Sequence, residues 1–193
     1  YGGSLTTGSL DNSAGGTLNF NDGTLTVNGA GGSFKPRAGD AFIIDGNTAL
    51  AMPTLEIANA ATANLGENSI IVGNSKQAEL KILTGGVFSN RDGVIGNSFG
   101  STGTVLVNGT GSRWNNQYYL HVGKSGNGTL KVEAGGSVRS WLAWIGDTAD
   151  STGAVTVTGA GSQLNIGVDW PGSLGVGQQG NGTLDVEAGG VVS

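Results

Sequence analysis

The stretch that decides the fold reads GNGTLKVEAGG, Gly126–Gly136, and it is written again as GNGTLDVEAGG, Gly180–Gly190. The copies stand 54 positions apart and differ at one residue, Lys131 against Asp185. Inside the phrase, Leu130 and Val132 alternate with Thr129, Lys131 and Glu133. An alternation of period two is a β-strand with one buried face. Glycine and asparagine flank it, residue types that enter turns at positive φ. No helical periodicity is visible along the 193 residues.

The strand-like core of the phrase recurs outward in both directions. It appears as TLEI (Thr54–Ile57), ELKI (Glu79–Ile82), TVLV (Thr104–Val107), TLKV (Thr129–Val132), AVTV (Ala154–Val157) and TLDV (Thr183–Val186). Its first apolar residues are Leu55, Leu80, Val105, Leu130, Val155 and Leu184, spaced 25, 25, 25, 25 and 29. TLTV (Thr24–Val27) precedes the set by 30. An upstream column of glycines, Gly73, Gly96, Gly123, Gly146 and Gly177, steps by 23, 27, 23 and 31. The alternation defines two kinds of 25-residue unit and a full period of about 50.

One such unit holds two or three strands of four to six residues and cannot bury its apolar face alone, so units must stack. The expected fold is all-β: a right-handed, single-stranded parallel β-helix with coils of about 25 residues. Equivalent strands then pair about 4.8 Å apart along the axis. Leu55 to Leu184 form one interior ladder, and Ile57, Ile82, Val107, Val132, Val157 and Val186 the next. Gly86, Gly111, Gly136, Gly161 and Gly190 align as corner glycines, with Gly31 before them and Ala61 filling a gap. They are expected to share one tight backbone shape with neither the φ range nor the room for a side chain. Residues 1–65 read as less regular coils, and residues 66–193 as regular alternating coils that stop in mid-repeat. The chain therefore reads as a piece of something longer.

Composition restricts the function classes. Glycine supplies 38 of 193 residues, against a usual share of about 7%. Yet 37% of residues are hydrophobic and only 12% charged, the wrong balance for a self-repelling disordered chain. There is no cysteine, which excludes disulfides, thiolate metal sites and a thiol nucleophile. A net charge of −5 without a basic stripe argues against nucleic acid. No apolar run approaches the ~20 residues that cross a bilayer, so this stretch is not expected to insert into a membrane.

The phrases VGNS (Val72–Ser75), GVIGNSFGSTGTVLVNGTGSRW (Gly93–Trp114), VGKSGNGTLKVEAGG (Val122–Gly136) and IGDTADSTGAVTVTGAGSQL (Ile145–Leu164) carry a resemblance. They resemble the repeat shared by passenger domains of bacterial type V secretion (autotransporter) proteins and by PEP-CTERM-sorted surface proteins. The match covers roughly residues 66–193, with both half-repeats in alternation. The resemblance implies a right-handed parallel β-helix at a bacterial cell surface or in the extracellular space, often in adhesins or cell-aggregation proteins. It brings no catalytic residues. The expected role is a non-enzymatic stalk and adhesive surface. Its expected partners are host or bacterial surface glycans or proteins, or other copies of itself. The alternative roles are a carbohydrate-binding module and, further off, a polysaccharide lyase or hydrolase.

Several residues invite sharper readings. His121 is the only histidine and alternation points it outward; with no second histidine and no cysteine, it reads as a lone surface residue, and no metal site or cofactor is expected. Polysaccharide cleavage needs clustered acids. Asp147 and Asp150 share a turn near Lys124, and Glu133 and Glu187 repeat two coils apart, but acids placed by a repeat read as surface charge. Glu56 and Lys81 are expected to form a weak ion pair between coils. The turn column Asn74, Asn97, Lys124, Asp147 and Gln178 contains a lysine, which argues against repeated calcium sites and for a stacked polar ladder. Trp114 aligns with Leu164 and Phe34 and is expected in the core. Trp141, Trp144 and Trp170 are the candidate ligand- or partner-binding aromatics. Trp144 should face outward, and Trp170 sits where the spacing stretches from 25 to 29, as an exposed insertion would. The plainer reading is that these rings only cover a coil corner.

Overall fold

The computed structural model describes residues 2–14, 18–167 and 170–193. Among them there is no helix, only short strands. The chain begins with β1 (Ser4–Thr7) and β2 (Ser9–Asp11). Three-stranded coils follow: β3 (Thr24–Asn28), β4 (Ser33–Lys35) and β5 (Phe42–Ile44); then β6 (Thr54–Ala58), β7 (Thr62–Asn64) and β8 (Ile70–Val72); then β9 (Gln77–Leu83), β10 (Val87–Asn90) and β11 (Gly93–Ile95). The regular part continues with β12 (Thr102–Asn108), β13 (Arg113–Asn116) and β14 (Tyr119–Val122); β15 (Asn127–Glu133), β16 (Ser137–Ser140) and β17 (Leu142–Ile145); and β18 (Thr152–Thr158), β19 (Gln163–Ile166) and β20 (Ser173–Val176). β21 (Asn181–Glu187) and β22 (Val191–Val192) close it.

Each strand pairs in parallel with its equivalent in the next coil, two strands on for β1 and β2 and three strands on thereafter. The first strands of the coils form sheet A (β1-β3-β6-β9-β12-β15-β18-β21), the second form sheet B (β2-β4-β7-β10-β13-β16-β19-β22), and the third form sheet C (β5 to β20). The molecule is a β-solenoid of about seven turns.

Register in sheet A runs Leu25, Leu55, Leu80, Val105, Leu130, Val155, Leu184, as the sequence period requires. Leu25 to Val155 are buried, as are their partners two residues on, Val27 to Val157. Each fully buried aliphatic side chain contributes roughly 1.5–3 kcal/mol. In sheet B the interior column is Phe34, Ala63, Phe88, Trp114, Val138 and Leu164. Trp114 is fully buried. Its indole Nε1 donates to Asn90 Oδ1 at 2.7 Å, and Asn90 Nδ2 donates to Asn116 Oδ1 at 2.8 Å. The buried amides are thus satisfied within the core. Gly93 makes room for the ring, since a Cβ there would lie 2.7 Å from the indole Cζ2.

The two-unit period has its cause at the corners. Between sheets A and B, three residues (84–86) follow β9, four (109–112) follow β12, three (134–136) follow β15, four (159–162) follow β18 and three (188–190) follow β21. The residue entering sheet B is therefore Gly86, Ser112, Gly136, Ser162, Gly190. A Cβ on Gly86, Gly136 or Gly190 would overlap a backbone carbonyl of the coil beneath: that of Ile57, Val107 or Val157. Ser112 and Ser162 are fully buried. Ser112 Oγ donates to Asn108 O at 2.7 Å and accepts from Gly85 N–H at 3.1 Å; Ser162 Oγ donates to Thr158 O at 2.7 Å and accepts from Gly135 N–H at 3.0 Å. The corner glycines consequently belong to two columns, not one. Gly111 and Gly161 lie one residue earlier, in the left-handed region at φ 84° and 81°. Gly136 does not adopt that region; space alone demands glycine there.

The same device recurs between sheets C and A. Six-residue corners (96–101 and 146–151) hold buried Ser101 and Ser151, and four-residue corners (123–126 and 177–180) place Gly126 and Gly180 against them. A Cβ on either glycine would overlap the serine Oγ. The repeated phrase Gly126–Gly136 is thus one strand bounded by the two glycines that receive the corners of its neighbouring coil.

Candidate binding groove

The corners between sheets B and C differ in length in a way that shapes the surface. They take six residues (36–41) after β4 and five (65–69) after β7. They shrink to two after β10 (91–92), two after β13 (117–118) and one, Trp141, after β16, then widen to six (167–172) after β19. Val168 and Asp169 of that last loop lie outside the described residues. Three short corners between longer ones leave a notch along the solenoid axis, about 14 Å from the first short corner to the next long one at ~4.8 Å per coil. It encloses a cavity of about 690 Å³.

The groove's lining follows from strand alternation. Residues of sheet B that face away from the core stack in register as Asn64, Ser89, Asn115, Arg139 and Asn165. The first four line the groove, with Gln117 beside them from a short corner. Asn115 Nδ2 donates to Ser89 Oγ at 3.1 Å, which fixes part of this amide floor. Gly66 and Glu67 stand at one end, and Tyr118, Trp141 and Trp170 at the other. Trp141 Nε1 donates to Pro171 O at 3.1 Å, which ties the indole to the insertion loop. Trp141 also meets Tyr118 edge-on at 6.3 Å and stacks on Tyr119 at 6.4 Å. Trp170 is 71% exposed and lines the groove.

The three candidate tryptophans do not all line the groove, although Tyr119 links Trp141 to Trp144. Trp141 and Trp170 line the groove. Trp144 lies on the outer face of sheet C, in the register column Ile71, Val94, His121, Trp144, Gly175. There it stacks on His121 at 4.8 Å and touches Tyr119 at 5.7 Å. Gly175 above it leaves space for the indole.

His121 points outward, but it is not a free surface residue. Trp144 and Tyr119 cover it, and its Nδ1 lies 2.8 Å from Asp147 Oδ2 of the next coil. Burial holds its pKa below the ordinary 6.5, and this outweighs the opposing pull of the Asp147 carboxylate. Lys124 adds to the lowering and Asp92 opposes it.

Other side chains depart from or extend the expectations. Lys81 stands opposite Glu56 in register, yet its ammonium pairs at 2.9 Å with Glu79, two residues back on the same strand and face. The turn column does form a polar ladder at its start, where Asn97 Nδ2 donates to Asn74 Oδ1 at 2.8 Å. Asp45 binds the turn of the next coil through the N–H groups of Asn74, Ser75 and Lys76 and the Ser75 hydroxyl. Alternation gave no signal for that cap, because it depends on a loop meeting a turn 30 residues on. Among the described residues no three His, Cys, Asp or Glu side chains converge as metal ligands would.

No family model, curated protein or solved structure matches this chain.

Proposed function

We propose that this chain is a non-enzymatic binding stretch of a bacterial surface or extracellular protein, a rigid solenoid that adheres by holding a glycan in the groove between sheets B and C. The observation that carries the reading is the groove: an elongated notch with an amide floor, one pinned indole and one exposed indole. Sugar hydroxyls need amide donors and acceptors, and the apolar faces of pyranose rings need flat aromatic surfaces. The bacterial setting rests on the resemblance of the repeats to secreted and surface-sorted passengers.

The test is capture of a glycan panel, of matrix proteins and of the protein itself on beads coated with residues 1–193. We expect selective glycan capture. Trp170→Ala should weaken it about tenfold, the order of one aromatic contact of ~1.4 kcal/mol, with an unchanged melting temperature because the ring is exposed. Capture only of the protein itself would replace the reading with self-association. Glycan capture that is indifferent to Trp170→Ala would move the site away from the groove.

A further inference from the structure

The groove is not closed where Arg139 lines it. A second hollow, of about 490 Å³, opens beside it on the outer face of sheet B and shares Asn115 and Arg139 with the first. Arg113 lines this second hollow. In register Arg113 faces Ser137 and Arg139 faces Asn115, so the guanidinium-bearing residues are diagonal neighbours on adjacent coils. Both are exposed, and among the described residues neither takes part in an ion pair. The chain carries 9 Lys and Arg against 14 Asp and Glu, so two adjacent arginines without acidic partners run against its overall balance. At the opposite end of the groove stands a single carboxylate, Glu67. The groove therefore has a cationic end and an anionic end.

We infer that Arg113 and Arg139 form a subsite for an anionic sugar, so that the groove's ligand is a glycan bearing carboxylate or sulfate groups, with one charged group seated on the two arginines. This rests on the reading of the groove as a glycan site. Guanidinium groups match carboxylate and sulfate oxygens with paired N–H donors. The coil rise of about 4.8 Å sets neighbouring side chains at a separation comparable to one sugar ring, so amides and arginines on successive coils meet successive residues of an extended chain. Trp141 and Trp170 supply the stacking surface next to the charged end.

The test measures binding of polygalacturonate, its methyl-esterified form, dextran sulfate and dextran to residues 1–193 at several salt concentrations. Polygalacturonate and dextran sulfate should bind more tightly than their neutral counterparts, and less so as salt rises. Preference for one of these two would tell carboxylate from sulfate recognition. Arg113→Gln and Arg139→Gln should each weaken anionic binding several-fold and flatten its salt dependence, and Glu67→Gln should strengthen it. A merely structural role for these exposed side chains would produce neither the strengthening nor the change in salt slope. Equal binding of charged and neutral polymers, unmoved by the arginine changes, would overturn the anionic subsite and leave the glycan site standing. No binding of any of the four, with none in the wider panel, would overturn both.

Discussion

His121 shows what a single residue in this fold can and cannot reveal from sequence. Its outward direction was legible, because side chains alternate across a strand. Its environment was not, because Asp147 and Trp144 belong to the next coil, and only the register His121↔Trp144 brings them together. Trp114 repeats the lesson inside the core: its burial followed from alignment with Phe34 and Leu164, but its hydrogen bond to Asn90, 24 residues earlier, did not. His121 is the only histidine, so one imidazole signal can be followed by NMR as pH is lowered. Its midpoint should fall below 6.5, and Trp144→Ala should bring it back up by admitting water. A midpoint at or above 6.5 in the parent would mean that the Asp147 pairing outweighs burial. The linkage has a definite sign. The unfolded chain takes up the proton first as pH drops, so this residue's contribution to stability is whole above about 6.5 and is lost as pH falls toward the native midpoint.

Corners are the elements that make the repeat a double one. Strand ladders ask only for an apolar residue at alternate positions, and Leu, Val and Ile exchange freely along them. The corners are less tolerant, since a buried serine in one coil faces a glycine in the next. Sequence alone put Gly111 and Gly136 in one column because they stand one 25-residue period apart; the one-residue difference in corner length separates them. Gly136→Val should cost about 1–3 kcal/mol or more, because its side chain has to displace the Val107 carbonyl of the coil beneath. At this chain length that is a fall of roughly 2–4 °C in melting temperature for each kcal/mol. A melting temperature equal to the parent's would contradict the assignment of Gly136 to a closed contact. Lys81 marks the limit of element-level reading: pairing opposite Glu56 was readable, but the shorter route to Glu79 on its own strand was not.

At the scale of the whole molecule, stacking turns a local periodicity into a long surface. The spacing change from 25 to 29 marked in advance the insertion that carries Trp170, which is exposed and lines one end of the groove. The other wall, residues 65–69, lies where the less regular coils give way to the regular ones, and its role emerges only when the corners are compared coil by coil. The floor could not be foreseen from composition, because Asn64, Ser89, Asn115 and Arg139 meet only through the register of sheet B. The central claim is that this surface holds an anionic glycan. The most direct measurement is a crystal structure of residues 1–193 with an oligogalacturonate. The account predicts sugar density on the amide floor against Trp141 and Trp170, with carboxylates directed at Arg113 and Arg139. Sugar bound on sheet A, on the Trp144 face of sheet C, or in the groove with no carboxylate at Arg113 or Arg139 would contradict it.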